Sequence, residues 1–353
     1  MVSVGLIGFG LAGRVFHSPL VSSVEGLRLA AVLERSSDHA AQRYPDVVTY
    51  RSLDEMMADD SLGLFVVATP NATHFPLARR LLEAGKNVVV DKPVAVTSKE
   101  IGELMAIASH TKAHLFPFHN RRWDSDFQTL FRLIREDAVG RIVALESNFD
   151  RWRPIPRVRT WKEDPEQGGM LLDIGTHLGD QALALFGNPV AVWADERRER
   201  EGEGANDSFT VRLRYADFVI TLSCNALSSL ARPRFHLRGN KGNYWKWGLD
   251  PQEAALKEIT RIDSTAWGRE EAERWGTLSE DVDGSIVTRT VRPVAGDYRL
   301  FYAGVRQALA GRSRQPVSAL SAWRVARLLE WAGESAQLRR EIVCAWDEEP
   351  QLL

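Results

Sequence analysis

The chain has 353 residues, 44% hydrophobic and 26% charged, with 45 Lys and Arg against 47 Asp and Glu for a formal net charge of −2. That length suits two hydrophobic cores, and so even a charge balance gives neither a nucleic acid nor an anionic membrane an electrostatic footprint. Two cysteines, Cys224 and Cys344, stand in no disulfide, metal or redox spacing, and no apolar run approaches the roughly 20 residues of a membrane span, so a protein of the reducing cytoplasm is expected, with no metal.

The opening VSVGLIGFG breaks into glycines and has no basic leader, so no signal peptide is expected. Strand patterns fall at 2–7, 27–33, 62–68, 88–90 and 114–118, and helical patterns at 14–24, 37–44, 75–84 and 98–110. Near-continuous apolar strands separated by helices predict a parallel sheet covered on both faces. Beyond 119 the grammar changes. After a helix at 127–136, residues 142–149 alternate apolar and polar side chains, as an antiparallel strand with one buried side does. A helix at 171–186 precedes strand patterns at 190–194, 209–215, 218–222, 234–238 and 244–247. The charged stretch 196–204 reads as a solvated hairpin tip and 251–284 as a long polar insertion, while helices at 298–309 and 322–338 can return toward the first unit. The fold class is therefore α/β, with a Rossmann-type parallel sheet in residues 1–118 and an α+β unit carrying a mixed sheet in 119–353.

Gly8-Phe9-Gly10-Leu11-Ala12-Gly13 is a G-x-G-x-x-G loop between the first strand and the first helix. Gly8 permits the tight turn, Gly10 lets the backbone approach a pyrophosphate, and Gly13 allows the helix to pack closely on the strand. The free N–H groups at the helix start then face the diphosphate. Glu34 ends the second strand about 20 residues further on, where an acidic side chain takes the ribose 2′-hydroxyl of NAD. Arg35 and Ser36 beside it can instead hold the 2′-phosphate of NADP. The carboxylate favours NAD, and both dinucleotides stay open.

Asp91-Lys92-Pro93 follows the fourth strand, at the carboxyl end where open α/β sheets bind ligands. The proline biases Lys92 toward extended backbone and makes a cis bond possible. Within 168–177, Asp173 and His177 stand one turn apart on one helical face, where a carboxylate can orient an imidazole. Alone, the first motif reads as a surface lysine and the second as an ordinary helix pair. Together they supply what alcohol oxidation needs. A neutral imidazole accepts the hydroxyl proton as hydride leaves, and an ammonium stabilises the developing alkoxide. This predicts a nicotinamide-dependent dehydrogenase acting on a secondary alcohol or ketone of a sugar or polyol. Arg151, Arg153, Arg157 and Arg159 with Trp152 and Trp161 read as a solvated loop with packed aromatics. His17 and His119 read as packing residues outside the catalytic set.

In their order and spacing, GFGLAG at 8–13, DKP at 91–93 and DIGTH at 173–177 resemble the hallmarks of the glucose–fructose oxidoreductase/inositol dehydrogenase (Gfo/Idh/MocA) family, along essentially the whole chain. FHSPL at 16–20, HNRRWD at 119–124 and GLDPQE at 248–253 are similar to the branch containing NADP-dependent scyllo-inositol dehydrogenases. The resemblance implies that Lys92 is the catalytic lysine, His177 the proton-transfer residue and Asp173 a substrate-binding or tuning residue. It implies a cofactor-side loop of Thr69, Pro70, Asn71 and His74, with Asn120 and Arg121 near the nicotinamide, and Trp161 and Lys162 on the substrate side. It also implies a large, mostly antiparallel open sheet in the second unit, through which such proteins form homodimers or homotetramers. Some relatives use a tightly held NAD for transient oxidation in glycosidase chemistry, an alternative that stays open beside a non-catalytic dinucleotide sensor. Two positions depart from the pattern: Asp91 stands where the family has glutamate, and Glu34 where the NADP users place a small hydroxyl residue.

Overall fold

A computed structural model of the chain describes residues 1–156, 160–164, 168–230, 232–258, 262 and 265–350. Arg157 and Arg159 lie outside these, as does the side chain of Trp161.

Six strands, β1 (Val2–Ile7), β2 (Leu27–Leu33), β3 (Val48–Tyr50), β4 (Leu62–Val67), β5 (Val88–Asp91) and β6 (Leu115–Phe118), form one sheet in the order β3-β2-β1-β4-β5-β6. Every pairing is parallel. The strands are apolar on both sides because each side meets a core. Leu64 and Val66 point into one cluster of buried side chains, and the intervening Phe65 and Val67 into another. The helices that cover them are α1 (Ser18–Ser23), α2 (His39–Arg43), α3 (Leu53–Met57), α4 (His74–Glu83) and α5 (Ser98–Thr111). Thr97 and Glu100 close a capping box at the start of α5. Beyond the expected elements the structure adds β3 and α3, whose few residues are too short to carry a periodic signal.

After α6 (Ser125–Arg135) comes the second sheet, of nine strands: β7 (Ile142–Asn148), β8 (Ala191–Arg197), β9 (Ser208–Arg214), β10 (Val219–Asn225), β11 (Phe235–Gly239), β12 (Gly242–Lys246), β13 (Gly276–Val282), β14 (Ser285–Val291) and β15 (Ile342–Val343). Their order is β14-β13-β12-β11-β7-β10-β9-β8-β15, and only the β7–β10 pairing is parallel. One face packs on α6, α7 (Thr176–Phe186) and α10 (Ala319–Leu338), through Leu130, Leu178 and Leu328 among others. The other face carries half-exposed side chains such as Trp193 and Trp245.

Residues 251–284 are not the polar insertion expected from their composition. They hold α8 (Gln252–Lys257) and the whole of β13, which pairs with β14 at the sheet's edge. An edge hairpin keeps most of its side chains in water, so its sequence looks like a loop, although Leu278 is fully buried. The same stretch closes over a buried ion pair. Lys246 donates to Glu270 at 2.6 Å, and also to the Trp247 and Arg274 carbonyls at 2.6 and 2.9 Å.

The two last helices return to the first sheet. Phe301, Tyr302 and Val305 of α9 (Arg299–Leu309) share a core with Val4 and Leu6. Helix α10 contributes Ala322 and Trp323 to the core of β5 and α5, then Leu328 and Trp331 to that of the second sheet. Among the described residues no helix is long and apolar enough to cross a membrane.

Removing one member of a fully buried ion pair strands the other charge, at a cost of about 3–5 kcal/mol. Lys246→Met is therefore expected to lower unfolding stability in urea by that amount, and Lys246→Met with Glu270→Met to recover much of it. A change below ~1 kcal/mol for the single variant would show that water reaches Glu270.

Candidate active site

The site is built where strands β1, β4, β5 and β6 end. Gly8 has φ +94°, and a Cβ there would lie 2.8 Å from the Ala68 carbonyl oxygen. At Gly13 a Cβ would stand 2.2 Å from the Gly8 oxygen, so only glycine lets the helix start fold back on the strand. Gly10 differs: it lines the cleft, and a Cβ there would meet nothing within 4 Å. The chain turns helical at Leu11 and passes through a widened turn at Gly13–His17 into α1, leaving first-turn N–H groups without intrahelical acceptors at the mouth of the cleft.

Behind β4, the His74 ring lies between two loops, with Nδ1 2.7 Å from the Pro93 carbonyl and Nε2 2.8 Å from that of Thr69. Thr73 donates to the Thr69 hydroxyl at 2.7 Å. The Lys92–Pro93 bond after β5 is cis. The Lys92 ammonium donates to the carboxylate of Asp173 at 2.7 Å and to its carbonyl at 2.8 Å. Lys162 donates to both oxygens of the same carboxylate at 2.6 Å. Asp173 lies in a second widened turn, Leu171–Gly175, that runs directly into α7.

A cleft of about 270 Å³ is lined by Gly10, Leu11, Ala12, Thr69, Pro70, Asn71, His74, Asp91, Lys92, Asn120, Arg121, Lys162 and His177, all marked from the sequence, together with Phe16, Ala68 and Phe118. Gly8, Phe9, Gly13 and Pro93 shape its walls from outside that lining, and Asp173 sits behind the two lysines. Glu34 is buried, its carboxylate accepting from the Ser37 hydroxyl at 2.7 Å and from the Ala40 N–H at 2.8 Å, at the start of α2. Arg35 and Ser36 beside it are exposed.

Electrostatics separate the titrating groups. Burial alone would raise the Asp173 carboxyl, but Lys92 and Lys162 outweigh it and hold it far below the usual carboxylate range. Burial and the neighbouring Lys92 bring the Lys162 ammonium down to about 8, against the pull of Asp173. Burial, followed by Lys92, Arg121, His119 and Lys162, pushes the His177 imidazole well below its ordinary value, so it is neutral at physiological pH. The expectation that Asp173 orients His177 is corrected here. That carboxylate is taken by the two ammonium groups, and the buried Nδ1 of His177 has no hydrogen-bond partner.

Sequence reasoning missed the support behind Lys92. Asp91 accepts from the Lys92 N–H at 2.8 Å, and its other oxygen lies 3.7 Å from His17 Nε2, an electrostatic contact too long for a hydrogen bond. His17 Nδ1 is 2.6 Å from the Tyr302 hydroxyl of α9. Residues 285 apart in sequence leave no local signal of such a contact. Arg121 is buried and paired with Asp124 and Glu253, and its carbonyl accepts from Gln181 at 2.9 Å. Among the described residues no group of three His, Cys, Asp or Glu could hold a metal ion.

Comparison with known proteins matches residues 2–119 to an oxidoreductase family with an NAD-binding Rossmann fold, and residues 127–245 to the GFO/IDH/MocA C-terminal domain. The chain is 39% identical to the uncharacterized oxidoreductase YdgJ of Escherichia coli strain K12, covering 98% of this chain and 99% of that one. It is 31% identical to the scyllo-inositol 2-dehydrogenase (NADP(+)) IolW of Bacillus subtilis strain 168, over 97% and 96% of the two chains. The solved structure of YPO2259 from Yersinia pestis superimposes with a TM-score of 0.93 at 38% identity, over 98% and 97% of the chains.

Because Asp173 accepts from both ammonium groups, Asp173→Asn is expected to lower the Lys162 pKa further below its value of about 8. Titration of the isotopically labelled lysine side chains by NMR measures this directly. A value that stays at or above 8 would mean that water, not Asp173, sets the charge.

Proposed function

The chain belongs to the GFO/IDH/MocA oxidoreductase family, with its NAD-binding Rossmann fold in the first third, and from that premise we propose that it is a cytoplasmic dehydrogenase of sugars or polyols. In this reading residues 1–118 hold the dinucleotide and 119–353 shape the substrate side. The residues fit such a cofactor. The backbone at Gly10 faces open cleft where a side chain would intrude, and helix-start N–H groups suit a diphosphate. A bound nicotinamide would supply the partner for hydride exchange with a carbinol carbon.

His177, neutral and cleft-lining, takes the hydroxyl proton as the alcohol becomes a ketone. Lys92 keeps its ammonium at the reacting oxygen and stabilises the alkoxide that develops there. Asp173 acts through the lysines as a positioning residue, and Lys162 bounds the substrate side. The observation that carries this reading is that Lys92, Lys162 and His177 share one cleft with the glycine loop. The substrate named for IolW, scyllo-inositol, lends support to a polyol.

For the adenosine end we propose that NADP is preferred. Both Glu34 oxygens are engaged at the start of α2, while Arg35 and Ser36 are free to meet a 2′-phosphate. The open face of the nine-stranded sheet, with Trp193 and Trp245 away from the core, suits a homodimer or homotetramer contact.

Nicotinamide absorbance with a panel of inositols, aldoses and polyols tests the activity. Lys92→Ala and His177→Ala are each expected to lower kcat/KM by about 10²–10⁴, and unimpaired turnover in both would refute their roles. Arg35→Ala is expected to lower kcat/KM for NADP about tenfold and leave NAD little changed. Equal losses on the two cofactors would remove the 2′-phosphate contact.

A further inference from the structure

We propose that the chain has a second small-molecule site, separate from the dinucleotide cleft, that takes a small aliphatic ammonium ion. The space is a cavity of about 220 Å³, lined in part by Pro93 and Val94, the residues that follow Lys92. Leu171, Val325 and Leu329 add to its apolar walls, so it lies where the end of β5 meets α10 and the second widened turn. Among the described residues its ionisable lining is His119, Glu196 and Glu330, with no Lys or Arg.

His119 is only 2% exposed, yet neither of its ring nitrogens has a hydrogen-bond partner. The Asp180 carboxylate lies 3.9 Å from Nδ1, too far for a hydrogen bond, and both its oxygens already accept from Arg122, at 2.7 and 2.9 Å. A buried imidazole left in this state costs energy until an occupant meets it. Burial holds the ring below its ordinary value against the pull of Asp180, so it is neutral and keeps one bare nitrogen to accept an N–H. The two carboxylates differ. Glu330 accepts from the Ser98 N–H and hydroxyl at 2.6 and 2.7 Å, and from Arg327 at 3.3 Å. Glu196, near the end of β8, accepts from the Asn206 amide at 3.4 Å, and among the described residues no cation pairs with it. An alkylammonium matches this lining: a counter-charge for Glu196, an N–H for the imidazole and a chain for the apolar walls. A carboxylate would meet like charge, and a neutral alcohol would leave Glu196 without its cation.

Three probes of one chain length decide the matter: pentylamine, pentanol and pentanoate, titrated at neutral pH into the full chain with isotopically labelled histidine rings. NMR then locates the occupant, because His119 lines this cavity and His177 the cleft. Pentylamine is expected to shift the His119 resonances and to bind about tenfold or more tightly than pentanol, with pentanoate weakest. Glu196→Gln should bring the amine down to the affinity of the alcohol. Ala326→Phe, which enlarges a side chain of the cavity wall, should weaken both. Equal affinities for amine and alcohol, a preference that survives Glu196→Gln, or binding unchanged by Ala326→Phe overturns the proposal. So does an amine that shifts His177 rather than His119, or failure of every probe to reach His119.

Discussion

One carboxylate held between two ammonium groups fixes the geometry of this molecule's cleft. A buried carboxylate without partners would shed its charge by taking up a proton, because its solvation is lost. Asp173 keeps its charge because Lys92 reaches it from the end of β5 and Lys162 from the other side. Those lysines belong to opposite parts of the chain. The triad therefore works as an electrostatic rivet between the first sheet and the helix that backs the second. Its surroundings also set the character of the neighbours: burial, and then the two ammonium groups, keep His177 neutral, while burial and Lys92 draw down the Lys162 ammonium.

Local chemistry made much of the site legible in the sequence. The glycines at 8, 10 and 13 and the lysine at 92 sit at strand ends, where a few adjacent residues determine the backbone and the backbone determines what faces the cleft. Parallel strands were readable for a related reason, since burial on both faces removes the need for polar alternation. The long-range pairings were not legible. Nothing near His17 announces Tyr302, and nothing near Arg151 announces a phenyl ring already occupied by Arg121. The hairpin of β13 and β14 failed for the opposite reason. Its outward side chains suit water, so composition resembled a loop while the hydrogen bonding was that of a sheet edge.

Glu34 shows how a residue can satisfy a motif and still have other obligations. Its position matches a ribose-binding acid, yet its two oxygens accept from Ser37 and Ala40 and so organise the start of α2. A carboxylate with its lone pairs engaged in this way is a weaker recruit for a sugar hydroxyl than a free one. Spacing alone registers only where a side chain begins, not what it holds.

The placement of α9 has a bearing on how the chain is made. Phe301, Tyr302 and Val305 complete the apolar layer against Val4 and Leu6, yet they leave the ribosome late, roughly 10–40 s after residue 118 at ~5–20 residues per second. Through that interval the nascent parallel sheet has this layer covered only in part, by Leu20 and Val21 of α1. The layer is complete only once α9 has been made.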